Sequence, residues 1–511
     1  MTLKLIILVL FFAAMAAIGI YSRKKIQNVG DFVLGGRNVG AWLSAFTYGT
    51  TYFSAVIFIG YAGKFGWKYG LAASLIGIGN AVFGSMLAWM VLGKRTRRMT
   101  HYFDVQTMPG YFEKRFGSKA LKIASSCIMF IFLVPYSASV YTGLGYLFEK
   151  SFGIPYIYCM IGMAVITGAY LILGGYIATA LSDFVQGIIM LAGIVFVVFF
   201  VLKNPHVGGL WNGISQLKNI GASAAASGGV NNFNIFGGDG VGLLGLIILT
   251  SFGSWGLPQM IHKFYAVKDD KAITRGTTIA TLFAVVVAGG SYFIGAFCKL
   301  FIKNPQAAGI LAKNGKDINF DMVMPYVMQT ALPDVLMGIV VIMVLSASMS
   351  TLSSLVLVSS STMTLDFIEG TIAPKMSRKN SMLMIRILCG IFVLASLVVA
   401  LQKGAIVTLM SFSWGALSGS FLAPFLYGLY WKKATKEGVW ASFATAIIIT
   451  MAGFIISLSG INIPNIGKYI TPPNVGALAM ILPLIVLPAV SVFTAVPNKN
   501  EVEKAFEVTT K

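Results

Sequence analysis

Thr47-Tyr48-Gly49-Thr50-Thr51-Tyr52-Phe53-Ser54 sits inside a run, residues 38–62, that is otherwise apolar enough to cross a membrane. Glycine lowers helix stability by about 1 kcal/mol relative to alanine, so the spacing predicts a helix that unwinds in mid-span. Unwinding frees carbonyls that need a partner, and a bound cation can be that partner. A second run, 237–260, carries Ser251-Phe252-Gly253-Ser254-Trp255-Gly256-Leu257-Pro258, where proline adds a penalty of about 3 kcal/mol. Either break alone reads equally as an ordinary kink. They lie five spans apart, however, so spans two to six and seven to eleven form two five-span halves of opposite orientation, each opening with a broken helix. That is the layout of an inverted-repeat secondary transporter.

Composition places these runs in a membrane. Of 511 residues, 57% are hydrophobic and 11% charged, against about a quarter charged in soluble domains. The mean hydropathy is +0.81. The reading is an all-α polytopic membrane protein with about 13 transmembrane helices and no room for a sizeable soluble domain. Leu5 to Ile20 reads as a retained span rather than a cleaved signal. The basic segments Arg23-Lys24-Lys25, Lys94 to Arg98, His262-Lys263, Arg378-Lys379 and Lys432-Lys433 fall on one side if the N-terminus is outside and the C-terminus inside. That topology puts 26 of the 38 Lys and Arg residues in cytoplasmic segments. The net charge of +21 is thereby a topological signal and calls for no nucleic acid.

The expected organisation is a first extra helix and cytoplasmic loop (1–37), a first repeat (38–202), an external connector (203–236), a second repeat (237–430), and two further helices with a cytoplasmic tail (431–511). The ninth span is expected at 326–363, and the tail from Asn498 is expected to be disordered. Cys127, Cys159, Cys298 and Cys389 are scattered singly, and His101, His206 and His262 form no cluster, so neither a metal nor a disulfide framework is expected.

Hydroxyls and one acid carry the chemistry. In Leu345-Ser346-Ala347-Ser348-Met349-Ser350-Thr351-Leu352-Ser353-Ser354, helical geometry brings Ser346, Ser350, Ser353 and Ser354 onto one face. Such a stripe faces protein or a water-filled cavity, and reads either as helix-packing contact or as part of a polar site. Asp183, at the expected start of the sixth span, reads as a helix cap or as part of an ion pathway, and the two are compatible. A hard monovalent cation is suited to about five or six neutral or weakly charged oxygens, which the second span and the serine face supply.

At these residues the sequence resembles the sodium:solute symporter family. The resemblance is carried by Leu34-Gly35-Gly36-Arg37, Gly174-Gly175 with Ser182-Asp183 and Gln186, Gly256-Leu257-Pro258 and Met349 to Ser354, in that order along nearly the whole chain. It implies a LeuT-type inverted repeat of 5+5 helices with extra terminal helices, and sodium-coupled alternating access. The carbonyls of Thr50, Phe53 and Ala347 and the hydroxyls of Ser350 and Thr351 would form the first sodium site. As in some members, Asp183 with Ser350, Ser353 and Ser354 would form a second.

The segment Phe252 to Gly276 looks closest to the pantothenate and proline branches. The acidic residue that the proline branch carries in its first broken helix is Tyr52 here, and a pocket tryptophan is Thr250. Substrate-binding candidates, polar or aromatic and close to the two breaks or on the facing fourth span, are Tyr52, Ser54, Tyr136, Ser254, Trp255 and Gln259. For Tyr136 and Trp255 aromatic core packing is an equal reading.

The expected function is a sodium-coupled symporter in the cell membrane, a functional monomer with Na+ and a small polar organic solute (amino acid, vitamin or other carboxylate, or sugar) as its partners, and no enzyme. The alternatives are a proton-coupled symporter of the same fold and a non-transporting solute sensor. A channel would need a continuous polar lining, and an intramembrane enzyme a nucleophile–base or metal constellation.

Overall fold

The computed structural model describes residues 2–23, 28–226, 239–312, 314–402, 404–459, 464, 467–495 and 499–510. Lys24 and Lys25 of the first basic segment and residues 227–236 of the external connector lie outside these. The described secondary structure is helical apart from two isolated bridges, Val39 with Val267 and Leu311 with Ile318. Among the described residues ten helices are long and apolar enough to cross a membrane, and two shorter apolar helices, Ile6–Ser22 and Tyr156–Gly168, accompany them.

Both expected breaks are present. The first helix of the core, Ala41–Tyr52, stops at Phe53 (φ −107°, ψ 100°), and helical turns resume at Val56. Gly240–Phe252 tightens through a 3-10 turn at Gly253–Trp255 and ends, and Pro258–Ala266 starts afresh with proline in its first turn, where its missing N–H costs nothing. The two broken spans are joined at one end, where Val39 N–H donates to Ala266 O at 3.0 Å and Lys268 N–H to Val39 O at 3.1 Å. The same end gathers the basic residues. Arg97 donates to the carbonyls of Val267 (3.0 Å) and Lys268 (2.6 Å), and Arg97 and Arg98 both pair with Asp270.

Asp334–Thr362, the serine-rich helix, runs through the middle of the molecule. In its most apolar window, 94% of residues are buried, so it is enclosed on all sides and its hydroxyls face protein everywhere. The expected ninth span, 326–363, is two elements. Val323–Ala331 ends at Leu332 and Pro333, and the spanning helix begins after that proline.

Gly175 divides the long helix Tyr156–Lys203. At φ 55°, ψ −153° only glycine is comfortable, and a Cβ there would stand 2.7 Å from the ring of Phe32. The sixth span thus starts at Gly175, so Asp183 lies two turns inside it and is no cap.

The tail expected to be disordered is helical, and so is part of the external connector. Leu210–Ala226 forms a helix within the connector. The tail forms Lys499–Thr510, which buries Val502, Ala505 and Phe506. Arg98 donates to Thr509 O at 3.1 Å, and the guanidinium of Arg115 lies 5.5 Å from the Phe506 ring. The apolar positions 502, 505 and 506 recur at helical spacing, which gives this polar segment one face to dock.

Candidate functional site

The site is built where the first broken helix meets the serine helix. Ending the helix at Tyr52 removes the partners that the carbonyls of Thr50 and Thr51 would have had one turn later. Val56 N–H turns instead to Ser54 Oγ (3.2 Å). Thr351 Oγ1 approaches the Thr50 carbonyl at 3.3 Å, the Thr51 carbonyl at 3.2 Å and the carbonyl of Ala347 on its own helix at 3.1 Å. A hydroxyl has one proton to donate, so it can satisfy only one of three acceptors. Ser346 Oγ and Ser350 Oγ, on the same helix, are buried without a hydrogen-bond partner among the described residues. The Thr351 hydroxyl thus meets three carbonyl oxygens with one proton among them, a donor set suited to a hard cation. Of the five residues expected for the first site, Thr50, Ala347 and Thr351 meet directly, Ser350 is one turn from Ser346 on the same helix, and Phe53 stands at the break itself.

Asp183, Ser353 and Ser354 lie beside this cluster. Ser354 Oγ is 2.9 Å from Thr51 Oγ1, whereas Ser353 Oγ donates back to Ser350 O at 2.9 Å. Asp183 is fully buried, and neither carboxylate oxygen makes a hydrogen bond to a described residue. Its ionic neighbour is Lys263 Nζ, 3.8 Å from Oδ2, and the same ammonium donates to Ser354 Oγ at 2.9 Å. The sequence marks His262-Lys263 as a basic segment at a span end. Instead Lys263 is 2% exposed and His262 packs against Tyr176, with ring centroids 5.7 Å apart. Both lie on Pro258–Ala266, behind the second break.

Beyond Phe53 lies a small cavity of about 20 Å³, room for about one water molecule. Tyr52 and Ser54 line it, together with Phe53, Val56, Ile57, Tyr61, Asn80, Thr250, Tyr292, Met410 and Trp414. Five of these eleven residues are aromatic, and no Lys, Arg, Asp or Glu is among them. The Tyr52 hydroxyl donates to Thr250 O at 2.6 Å, so the two positions that depart from the proline branch touch each other. Trp414 Nε1 and Tyr61 Oη are buried without a partner among the described residues, which leaves one N–H and one O–H to offer a guest.

The other expected pocket residues stand outside the lining. Tyr136 packs edge-on against Trp414, centroids 5.7 Å apart. Ser254 donates to Gly84 O (2.9 Å) and Trp255 Nε1 to Phe83 O (2.8 Å), so both polar groups serve helix packing. Gln259 is buried with both amide atoms unpartnered among the described residues. Asn80, Tyr292 and Trp414 were missed. Asn80, an amide in the middle of an apolar span, was the legible signal, since such a group needs a polar partner in hydrocarbon. Ser251 Oγ is 3.2 Å from its Oδ1.

Fold and site together define a helical membrane transporter with two broken spans around a central oxygen cluster. The sodium:solute symporter family model matches residues 32–446, and the chain belongs to that family. The sodium/proline symporter of Haemophilus influenzae (strain ATCC 51907 / DSM 11121 / KW20 / Rd) is 27% identical over 458 residues, 88% of each chain. That of Staphylococcus aureus (strain JH9) is 28% identical over 476 residues, 89% of this chain and 87% of the relative. Among solved structures, a substrate-bound, outward-open Na+-coupled sialic acid symporter superposes with a TM-score of 0.73 at 16% identity, over 97% of this chain and 98% of the other. A nucleobase-cation-symport-1 family transporter in a closed conformation gives 0.54 at 13% identity, over 94% and 99%. These likenesses establish the fold.

Proposed function

We propose that the chain is a sodium-coupled secondary active symporter of the cytoplasmic membrane, importing a small polar organic solute by alternating access. One observation carries this reading: the Thr351 hydroxyl stands within 3.3 Å of three carbonyls, two of them released by the break in the first core helix. Sodium bound by Thr50, Phe53, Ala347, Ser350 and Thr351 holds the broken helix against the serine helix. That contact exists only while the two helices are together, so sodium favours one conformation, as coupling requires. The names of the relatives support the choice of ion.

The residues around the adjoining cavity, which here has room for about one water, take the solute when the spans part. Their aromatic rings and lack of charged side chains suit a molecule of zero net charge with an apolar body, zwitterions included, oriented by Asn80, Ser54, Tyr61 and Trp414. The N-terminus is outside and the C-terminus inside, with repeats spanning 38–202 and 237–430 and a monomer as the working unit.

Uptake into proteoliposomes, driven by a sodium gradient or a proton gradient and run with labelled amino acids, vitamins and sugars, tests the reading. Accumulation under the sodium gradient alone is expected. Accumulation under the proton gradient alone assigns the proton-coupled alternative, and binding without accumulation the sensor.

A further inference from the structure

Lys263 is an ammonium on the second broken span, buried to 2% exposure and aimed at the residues expected for a second sodium. It donates to Ser354 Oγ at 2.9 Å, lies 3.8 Å from Asp183 Oδ2, and stands over the face of Tyr176 at 5.4 Å from the ring centroid. Ser354 continues the contact to Thr51 Oγ1 at 2.9 Å, which belongs to the first broken span. Sodium and an ammonium do not share one buried carboxylate: each would face the other's charge at contact distance, with protein rather than water between them. A lysine offers three donors and no lone pair, so it can replace a cation beside Asp183 and Ser354 but cannot ligate one.

We propose that Lys263 supplies, as a fixed part of the chain, the positive charge that a second sodium would otherwise bring to Asp183. The protein therefore binds one sodium, at Thr50 and Thr351, and Lys263 sets that number. The ammonium also ties the two broken spans together through Ser354 and Thr51, a contact a diffusible ion would make only when bound. The sites fit this division of labour. The first cluster is all neutral oxygen, with the single Thr351 proton facing three carbonyls, whereas the second has an acid, and its cation is covalently attached.

The inference rests on the sodium reading above, and equilibrium binding of radiolabelled sodium to the purified full-length chain tests it without knowledge of the solute. Wild type is expected to bind about one sodium per chain with a Hill coefficient near 1. Lys263→Gln, which leaves Asp183 without a cation, is expected to bind about two, and the Lys263→Gln, Asp183→Asn double variant about one again. Lys263→Arg keeps the charge and is expected to stay at about one. Two sodium ions on the wild-type chain overturn the proposal, as does one on a folded Lys263→Gln chain. If Lys263→Gln does not fold, Lys263→Met, which likewise removes the charge, takes its place, and one sodium on that folded chain overturns the proposal. No saturable binding by wild type, or binding unaffected by Thr351→Ala, instead overturns the first sodium site.

Discussion

On the proposed reading, Thr351 concentrates the coupling chemistry in one atom. Its Oγ1 is near three carbonyls, and alanine removes only that oxygen and one γ-methyl, a small loss of packing. Thr351→Ala is therefore expected to remove a cation ligand without unfolding the chain. The loss should be about 1.5–3 kcal/mol, a rise of roughly ten- to a hundredfold in half-saturating sodium. Thr351→Ser, which keeps the oxygen, should stay within a few-fold of wild type, and sodium titration of uptake distinguishes the two. At the solute cavity, Tyr52→Phe deletes the bond to Thr250 O and leaves that buried carbonyl unpaired, at a cost of about 1–3 kcal/mol. It is expected to weaken solute binding while sodium binding changes little. The first cluster was legible because its two halves are local signals, a glycine among hydroxyls and a hydroxyl stripe at helical spacing. Lys263 was not. Beside His262 at the end of an apolar run it has the signature of a loop anchor, and only the packing of Pro258–Ala266 against Asp183 and Ser354 shows it to be internal.

At the scale of elements, breaks and bends hold the site in place, and two of them make measurable predictions. Gly175→Ala puts a side chain at φ 55° and drives its Cβ to 2.7 Å from Phe32 Cδ2. A loss of about 1–3 kcal/mol is expected, seen as a lower unfolding temperature in detergent. Gly162→Ala is the control, because nothing lies within 4 Å of a Cβ there. The second prediction concerns Asp321, which caps the approach to Ile406–Tyr430 by accepting from Ile406 N–H at 3.2 Å. Burial pushes its carboxyl up to about 6, offset in part by that N–H and by Lys64. Its folded value lies above the unfolded one, so its protonated form is the better tolerated. Its contribution is greatest below about pH 4 and is lost as pH rises through about 6, by at most about 3 kcal/mol. Asp321→Asn should remove this slope from the unfolding temperature between pH 4 and 7. Element positions were legible wherever apolar length or a glycine–proline break marked them. They were misread where polarity hid a docking face, as in the tail, or where apolar residues ran on through Leu332 and Pro333 into a separate helix.

Over the whole molecule, one end is held by fixed charge and the tail belongs to it. Arg98 joins Asp270 to the Thr509 carbonyl, and Arg115, buried among helices, donates to the carbonyls of Gly428 and Trp431 while facing Phe506. This is the end at which the two broken spans are tied through Val39, Ala266 and Lys268. Removing residues 499–511 should therefore loosen this end, with faster proteolysis near Arg97 and Arg98 and a lower unfolding temperature. Charge also predicts which way the end faces, since a bias of Lys and Arg to one side places that side in the cytoplasm. The C-terminal helix packs against the basic helix Lys94–Tyr102, while Lys218 belongs to Leu210–Ala226 in the expected external connector. Exposed Glu503→Cys in the tail and Lys218→Cys in that connector report the two sides, with native Cys127, Cys159, Cys298 and Cys389 replaced by alanine. A membrane-impermeant maleimide on intact cells is expected to label position 218 and to reach position 503 only after permeabilisation. The reverse pattern would invert the molecule, putting the basic end outside and reversing the side from which sodium and solute enter.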